Sequence, residues 1–254
     1  ILDDTFHSMF KLFETDGPGE NTSYISHHFW LPDFNLHDLG QELYRRPPWA
    51  IYRKGDKWIY LGISAIPQDK QPHQVIIFNH NYTRALVYNN DQKHFLKGNL
   101  RSLTLSPTDQ IFLAPALADR GGFYLHSCGA IFKRKGLVFV GHSSAGKSTI
   151  AKMLKNKAEI LCDDRIIVKK HTGGFRIYGT WCHGDVPEVS SNSAPLKAIM
   201  FLNKSDRNGL ELINNRSQIN KMLLACIIRP LVTVEWWNKM LKLTEKISNE
   251  IPCY

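Results

Sequence analysis

The stretch Gly141-His142-Ser143-Ser144-Ala145-Gly146-Lys147-Ser148-Thr149 lies between an apolar run, Leu137-Val138-Phe139-Val140, and a helical pattern, Ile150-Ala151-Lys152-Met153-Leu154. It fits G-x-x-x-x-G-K-[ST], and a strand–loop–helix context is what turns that pattern into a site. An apolar run that breaks into a glycine loop and restarts as a helix points to an α/β chain. The glycines let the backbone curl so that several N–H groups point at phosphate oxygens, and the following helix adds the positive end of its dipole. The residues expected to cradle a nucleotide are Gly141, Ser143, Ser144, Ala145, Gly146, Lys147, Ser148 and Thr149. Lys147 can reach the β- and γ-phosphates, and Ser148 can hold Mg²⁺.

The chain before this motif has a different texture. Residues 1–110 read as β structure and loops, residues 111–254 as the core that carries the motif. Trp49–Tyr52 and Lys57–Leu61 flank Arg53-Lys54-Gly55-Asp56, and Gln74–Phe78 and Arg84–Tyr88 flank Asn79-His80-Asn81-Tyr82, so two hairpins are expected. Ser106-Pro107-Thr108-Asp109 reads as a helix start, with Ser106 as N-cap and the helix running to about Leu117. From Phe123 short apolar strands alternate with glycines: Phe123–Leu125, Ala130–Phe132, Leu137–Val140, Glu159–Cys162, Arg165–Val168, Phe175–Tyr178 and Leu196–Leu202. Helices are expected near Ser217–Ile228 and Val232–Ser248, and Ile251–Tyr254 reads as the start of a closing strand.

With 43% hydrophobic and 22% charged residues, the chain has the composition of an ordinary globular protein. The net charge of +9 suits nucleotide phosphates or an acidic peptide as well as nucleic acid. The basic runs Arg45-Arg46, Lys133-Arg134-Lys135 and Lys169-Lys170 are short and read as solvated faces, and the dispersed aromatics read as core, so nucleic acid is not favoured. Cys128, Cys162, Cys182, Cys226 and Cys253 show no C-x-x-C spacing; this argues against a disulfide framework or zinc and makes a reducing cytoplasm the simplest setting. No apolar run reaches the roughly 18 residues of a membrane span, and no signal peptide is visible.

Asp163-Asp164 follows the strand candidate Glu159–Cys162. A carboxylate at a strand end beside a phosphate loop is where a Mg²⁺ ligand belongs, and two in succession allow one for the metal and one for the proton of an attacking hydroxyl. His183-Gly184-Asp185 follows Gly179-Thr180-Trp181 and can add a carboxylate and a histidine. Asn203-Lys204-Ser205-Asp206 spells the guanine-reading N-K-x-D. A GTPase also needs D-x-x-G between the loop and that point to sense the γ-phosphate, and no such string occurs from Ser148 to Leu202.

Taken in order, these residues resemble the HPr kinase/phosphorylase-like group, relatives of the ATP-dependent phosphoenolpyruvate carboxykinases. The resemblance covers roughly residues 120–254 and rests on Leu125-His126-Ser127, the glycine loop, Leu161-Cys162-Asp163-Asp164 and Gly179–Asp185. Ala194-Pro195-Leu196-Lys197-Ala198-Ile199 and Lys204-Ser205-Asp206 look like a kinase-like subgroup associated with peptide modification. The resemblance implies a P-loop kinase core on a mixed sheet that uses MgATP to phosphorylate a hydroxyl, typically serine, of a peptide or protein such as a ribosomal peptide precursor. Asp163 would then be the base and Asp164 the carboxylate beside the metal, or the reverse. His126 would stand near the transferred phosphoryl group, and Lys147 would bind it. Ser148 and Asp164 would stand in the metal shell, and Asp185 in the acceptor or metal shell.

Two positions depart from the pattern: Ser144 replaces a common glycine, and Asp185 replaces a glutamate. The long C-terminal signature with which HPr kinases bind their protein substrate is absent, so their hexamer does not carry over, though an oligomer stays open. The alternative is a non-catalytic nucleotide-dependent module that binds or regulates a peptide. Carboxykinase chemistry is weaker, because no arginine set for a dicarboxylate can be identified.

Overall fold

The structure, a computed structural model, describes residues 4–33, 35–66, 68–69, 71–105, 107–230 and 233–254. The chain forms two compact units, one of Ile1–His7 with Thr15–Phe112 and the other of Ser8–Glu14 with Leu113–Tyr254.

In the first unit six strands, β1 (Tyr24–His28), β2 (Gln41–Arg46), β3 (Trp49–Lys54), β4 (Lys57–Gly62), β5 (Gln74–Asn79) and β6 (Arg84–Asn89), make one sheet in the order β1-β6-β5-β4-β3-β2. Every pairing is antiparallel except β1 on β6. Both expected hairpins form. β3 and β4 close at the Lys54–Lys57 pair, and alternation is clean in β6, where Ala85, Val87 and Asn89 are buried between more exposed neighbours. One face packs Ala50, Tyr52, Ile59, Leu61 and Val75 under Leu39. Aromatic rings also stack through the unit, Tyr60 edge-on to Phe78 at 5.3 Å and Phe78 stacked on Phe112 at 5.5 Å. A short helix, α1 (Lys93–Lys97), follows β6. β1, β2 and α1 were not expected from the sequence.

The second unit contains α2 (Ala114–Asp119), β7 (Gly122–Phe132), β8 (Lys135–Val140), α3 (Lys147–Leu154), β9 (Glu159–Cys162), β10 (Arg165–His171), β11 (Gly174–Tyr178), β12 (Ser193–Phe201), α4 (Arg216–Cys226) and α5 (Val234–Glu250). Its sheet order is β10-β11-β12-β8-β7-β9, with β7 also paired to β10. The two apolar stretches read as separate strands are one long strand. The first half of β7 pairs β10 and the second half pairs β8, so the sheet closes on itself. Among the named strands of this unit β12 and β8 run parallel and the other pairs antiparallel.

Leu125, Val138, Ile166, Ile177 and Ile199 fill one side of these strands together with Leu223 from α4 and Met240 from α5. Each such side chain, fully buried, contributes about 1.5–3 kcal/mol. The buried stripe Trp236, Met240, Leu243, Thr244 and Ile247 of α5 follows the helical repeat. Side-chain oxygens cap both long helices, Asn215 accepting from Gln218 N at 3.1 Å and Thr233 from Trp236 N at 3.2 Å. Strand alternation turns Cys128, Ala130 and Phe139 to the other side, where Ala151 of α3 and Ile160 join them.

The tail after α5 does pair with β12. Phe201 N donates to Tyr254 O at 2.7 Å, and Tyr254 N donates to Ile199 O at 2.9 Å. The helix expected from Ser106 is instead a π-helical turn, Asp109–Leu113, running into α2. The proposed cap Ser106 and the proposed helix start Val232 lie outside the described residues.

Candidate active site

Leu202 N donates to Val140 O at 2.8 Å, the last rung between β12 and β8, and the chain then leaves β8 at Gly141. His142, Ser143 and Ser144 are exposed. The loop reverses through two left-handed residues, Ser144 at φ 66° and Gly146 at φ 108°. Glycine adopts this conformation freely, whereas serine pays a steric penalty between Cβ and the carbonyl. Gly146 caps α3 with no side-chain cap bond, so among the described residues the first amides of α3 have no side-chain partner.

Lys147, the first residue of α3, is only 7% exposed. Its Nζ donates to Gly141 O at 2.8 Å and His142 O at 2.9 Å, tying the loop into a ring. An ammonium has three donors, so one remains. Burial pushes the Lys147 amine below its ordinary pKa, while the negative charges of Asp164 and Asp163 act the other way. The Ser148 hydroxyl, half-buried, has no partner among the described residues.

Asp163 and Asp164 form the turn between β9 and β10. Cys162 Sγ pins this turn by accepting from Arg165 N at 3.3 Å and donating to Arg165 O at 3.0 Å. Burial raises the thiol to about 11, which keeps it a neutral donor. Thr180 Oγ1 donates to the same Arg165 carbonyl at 2.6 Å, and Ser127 N donates to Asp164 O at 2.9 Å.

The two acids differ sharply. Asp163 is 1% exposed, and its oxygens accept from Gly184 N at 2.6 Å and Val186 N at 3.0 Å. The Asp164 side chain is 26% exposed. Its Oδ1 lies 3.2 Å from His126 Nε2 and its Oδ2 lies 3.1 Å from Arg165 Nε. Cross-strand pairing of His126 with Arg165 brings those two side chains to the same acid. Burial opposes ionisation of Asp164, but the His126 hydrogen bond and the charges of Arg165, His126 and Lys147 outweigh it and hold its carboxyl below the ordinary 3.8.

Of the residues singled out in the sequence, the structure therefore gathers His126, Lys147, Asp163 and Asp164. Asp185 is exposed and makes no contact with the others among the described residues. The segment Gly179–Asp185 acts through its backbone and through Thr180, holding Asp163 and Arg165. Arg165 and Cys162 were not singled out, although Arg165 directly follows the acid pair. Among the described residues no three His, Cys, Asp or Glu side chains converge as a ready-made metal cage. Mg²⁺ usually keeps several waters and takes one or two carboxylates plus substrate phosphates, so a Mg²⁺ site does not require such a cage.

No curated protein matches the chain. A solved structure, the Hpr(Ser) kinase/phosphatase from Coxiella burnetii, is similar over 50% of this chain and 92% of its own, at 14% identity and a TM-score of 0.29. That likeness is too weak to transfer a residue role or an activity. A family model described as SynChlorMet cassette protein ScmC matches residues 105–252. That stretch contains the glycine loop, the acid pair and the Gly179–Asp185 segment, and makes up more than half of the chain. The chain belongs to the SynChlorMet cassette protein ScmC family.

Proposed function

We propose that this site transfers the γ-phosphoryl group of MgATP to a hydroxyl, a serine of a peptide or protein, with a ribosomal peptide precursor among the acceptors to offer. The observation that supports it best is the buried Lys147, which closes the glycine loop with two of its donors and stands in the field of the Asp163–Asp164 pair. The first amides of α3 and the remaining donor of Lys147 bind the β- and γ-phosphates. The Ser148 hydroxyl, together with waters and the phosphates themselves, would hold Mg²⁺, which would screen their charge.

Asp164 is the acid placed to orient the acceptor hydroxyl and to take its proton as the oxygen bonds to phosphorus and the bond to the ADP oxygen breaks. Its low pKa is no obstacle, because such transfer depends on positioning and charge stabilisation more than on base strength. His126 and Arg165 fix its orientation. Asp163, with a backbone amide on each oxygen, anchors the turn. The five cysteines are free, which suits a reducing compartment, and the cytoplasm is the proposed setting.

Incubation with γ-labelled ATP and Mg²⁺, offering serine-containing peptides and a protein extract, tests this reading. Label on an acceptor that disappears with Lys147→Ala supports a kinase. Nucleotide binding without label on any acceptor favours a regulatory module, and no nucleotide binding overturns the reading altogether.

A further inference from the structure

Ser8–Glu14 belongs to the second unit, although the chain on either side of it, Ile1–His7 and Thr15–Phe112, belongs to the first. Its core is a 3-10 turn of six residues, Ser8–Phe13, with no buried residue. So short a turn, with poor hydrogen-bond geometry, does not hold its place alone. Side chains hold it. Phe10 lies 5.0 Å from the Trp181 ring with a 40° tilt, and Phe13 meets the same indole edge-on at 5.8 Å. Leu12 lines a cavity of about 480 Å³ together with Ile160, Val189 and Ser190.

Trp181 stands in the irregular stretch between β11 and β12. The ends of that stretch are tied by Gly179 N to Asn192 O at 3.1 Å and by Ser190 N to Leu161 O at 2.9 Å. Its middle holds the acid pair. Thr180 fixes the Arg165 carbonyl, Cys182 N donates to Thr180 Oγ1 at 3.3 Å, and Gly184 and Val186 hold Asp163. We infer that Ser8–Phe13 is a strap that positions the acid pair, with Phe10, Phe13 and Trp181 as positioning residues. The two phenyl rings immobilise Trp181, and the immobilised loop keeps Thr180, Gly184 and Val186 in register with Arg165 and Asp163. The kinetic side of this inference rests on the kinase reading, but its structural side does not.

The test is the Phe10→Ala/Phe13→Ala chain, read by amide hydrogen exchange and by MgATP turnover. Exchange at Gly184 and Val186 rises about tenfold, the factor that ring contacts of this kind are worth, while the amides of β7 keep their protection. The kcat for MgATP turnover falls by a similar factor with the Kd for MgATP unchanged, and Phe10→Tyr/Phe13→Tyr restores both. Should the double variant not fold, Phe10→Leu carries the same readouts. Unchanged exchange at Gly184 and Val186 overturns the strap, whatever the activity. A wild-type chain without turnover overturns the kinase reading, and the exchange result then decides the strap alone.

Discussion

Asp163 Oδ1 accepts a 2.6 Å hydrogen bond from the Gly184 amide, 21 positions away in the chain. With Val186 N on Oδ2, this makes a buried carboxylate the anchor that ties the β9–β10 turn to the loop before β12. Its neighbour Asp164 keeps 26% of its side chain exposed.

The two acids should therefore separate in mutants. Asp163→Ala leaves two amides without their partner and should destabilise the chain by about 3 kcal/mol in urea denaturation. Asp163→Asn, which keeps one acceptor oxygen but places an amide against an N–H, should lose about 1–2 kcal/mol. Asp164→Asn should change stability far less, retain MgATP binding and abolish phosphoryl transfer. If Asp163→Asn is as stable as wild type and yet inactive, the base belongs at Asp163 instead.

Ser144 at φ 66° stands where glycine is the unstrained choice. Ser144→Gly removes a left-handed penalty of about 1–2 kcal/mol and adds chain entropy to the unfolded state, for a net gain of about 0.5 kcal/mol in stability. Denaturant midpoints compared at equal m-values check this, and a loss of stability would mean that the serine side chain holds the loop.

The parts of this architecture that were legible are those written locally. Glycines flanked by an apolar run and a helical pattern mark β8, the loop and α3, and alternation around short turns marks β3–β4 and β5–β6. β1 was not legible because Tyr24-Ile25-Ser26-His27-His28 has no buried face, and β2 because all of its residues are exposed. Gly129 interrupts the apolar run of β7, and only pairing with two different partners makes the strand continuous. The candidate site was legible as a set of residue types, but the division between Asp163 and Asp164 was not. It depends on amides more than twenty residues away, and backbone N–H groups carry no sequence signature.

Gly179 offers a test of how tightly that loop is built. A Cβ there would stand 1.8 Å from Ser190 O and 3.0 Å from Leu161 O, both backbone atoms that cannot swing aside. Gly179→Ala should cost about 3 kcal/mol or more, by overpacking. It should also raise the exchange rate of the Ser190 amide. A variant of wild-type stability would mean that the loop relaxes freely.

Acid stability should be shaped in two separate pH windows, with His27 and Asp164 as the more buried groups in each. In the first unit His27 Nε2 lies 2.9 Å from Leu103 O, and Asn89 Nδ2 faces its Nδ1 at 3.4 Å. Burial pushes His27 below its ordinary 6.5, against the upward pull of the Leu103 hydrogen bond, and the charge of His28 adds to the lowering. A base with a depressed folded pKa binds its proton first in the unfolded state, so stability falls as pH drops below 6.5 and levels off below the folded value. Asp164 is also depressed in the folded state, so the stability it contributes is present above 3.8 and is lost as pH falls through its folded pKa. In urea denaturation of the full chain, His27→Gln should reduce the higher-pH slope, where His171 is also depressed, and leave the lower one. Asp164→Asn should reduce the lower slope, where Glu42 and Glu188 are also depressed, and leave the higher one. A His27→Gln chain with the wild-type slope just below 6.5 would assign that proton to another group.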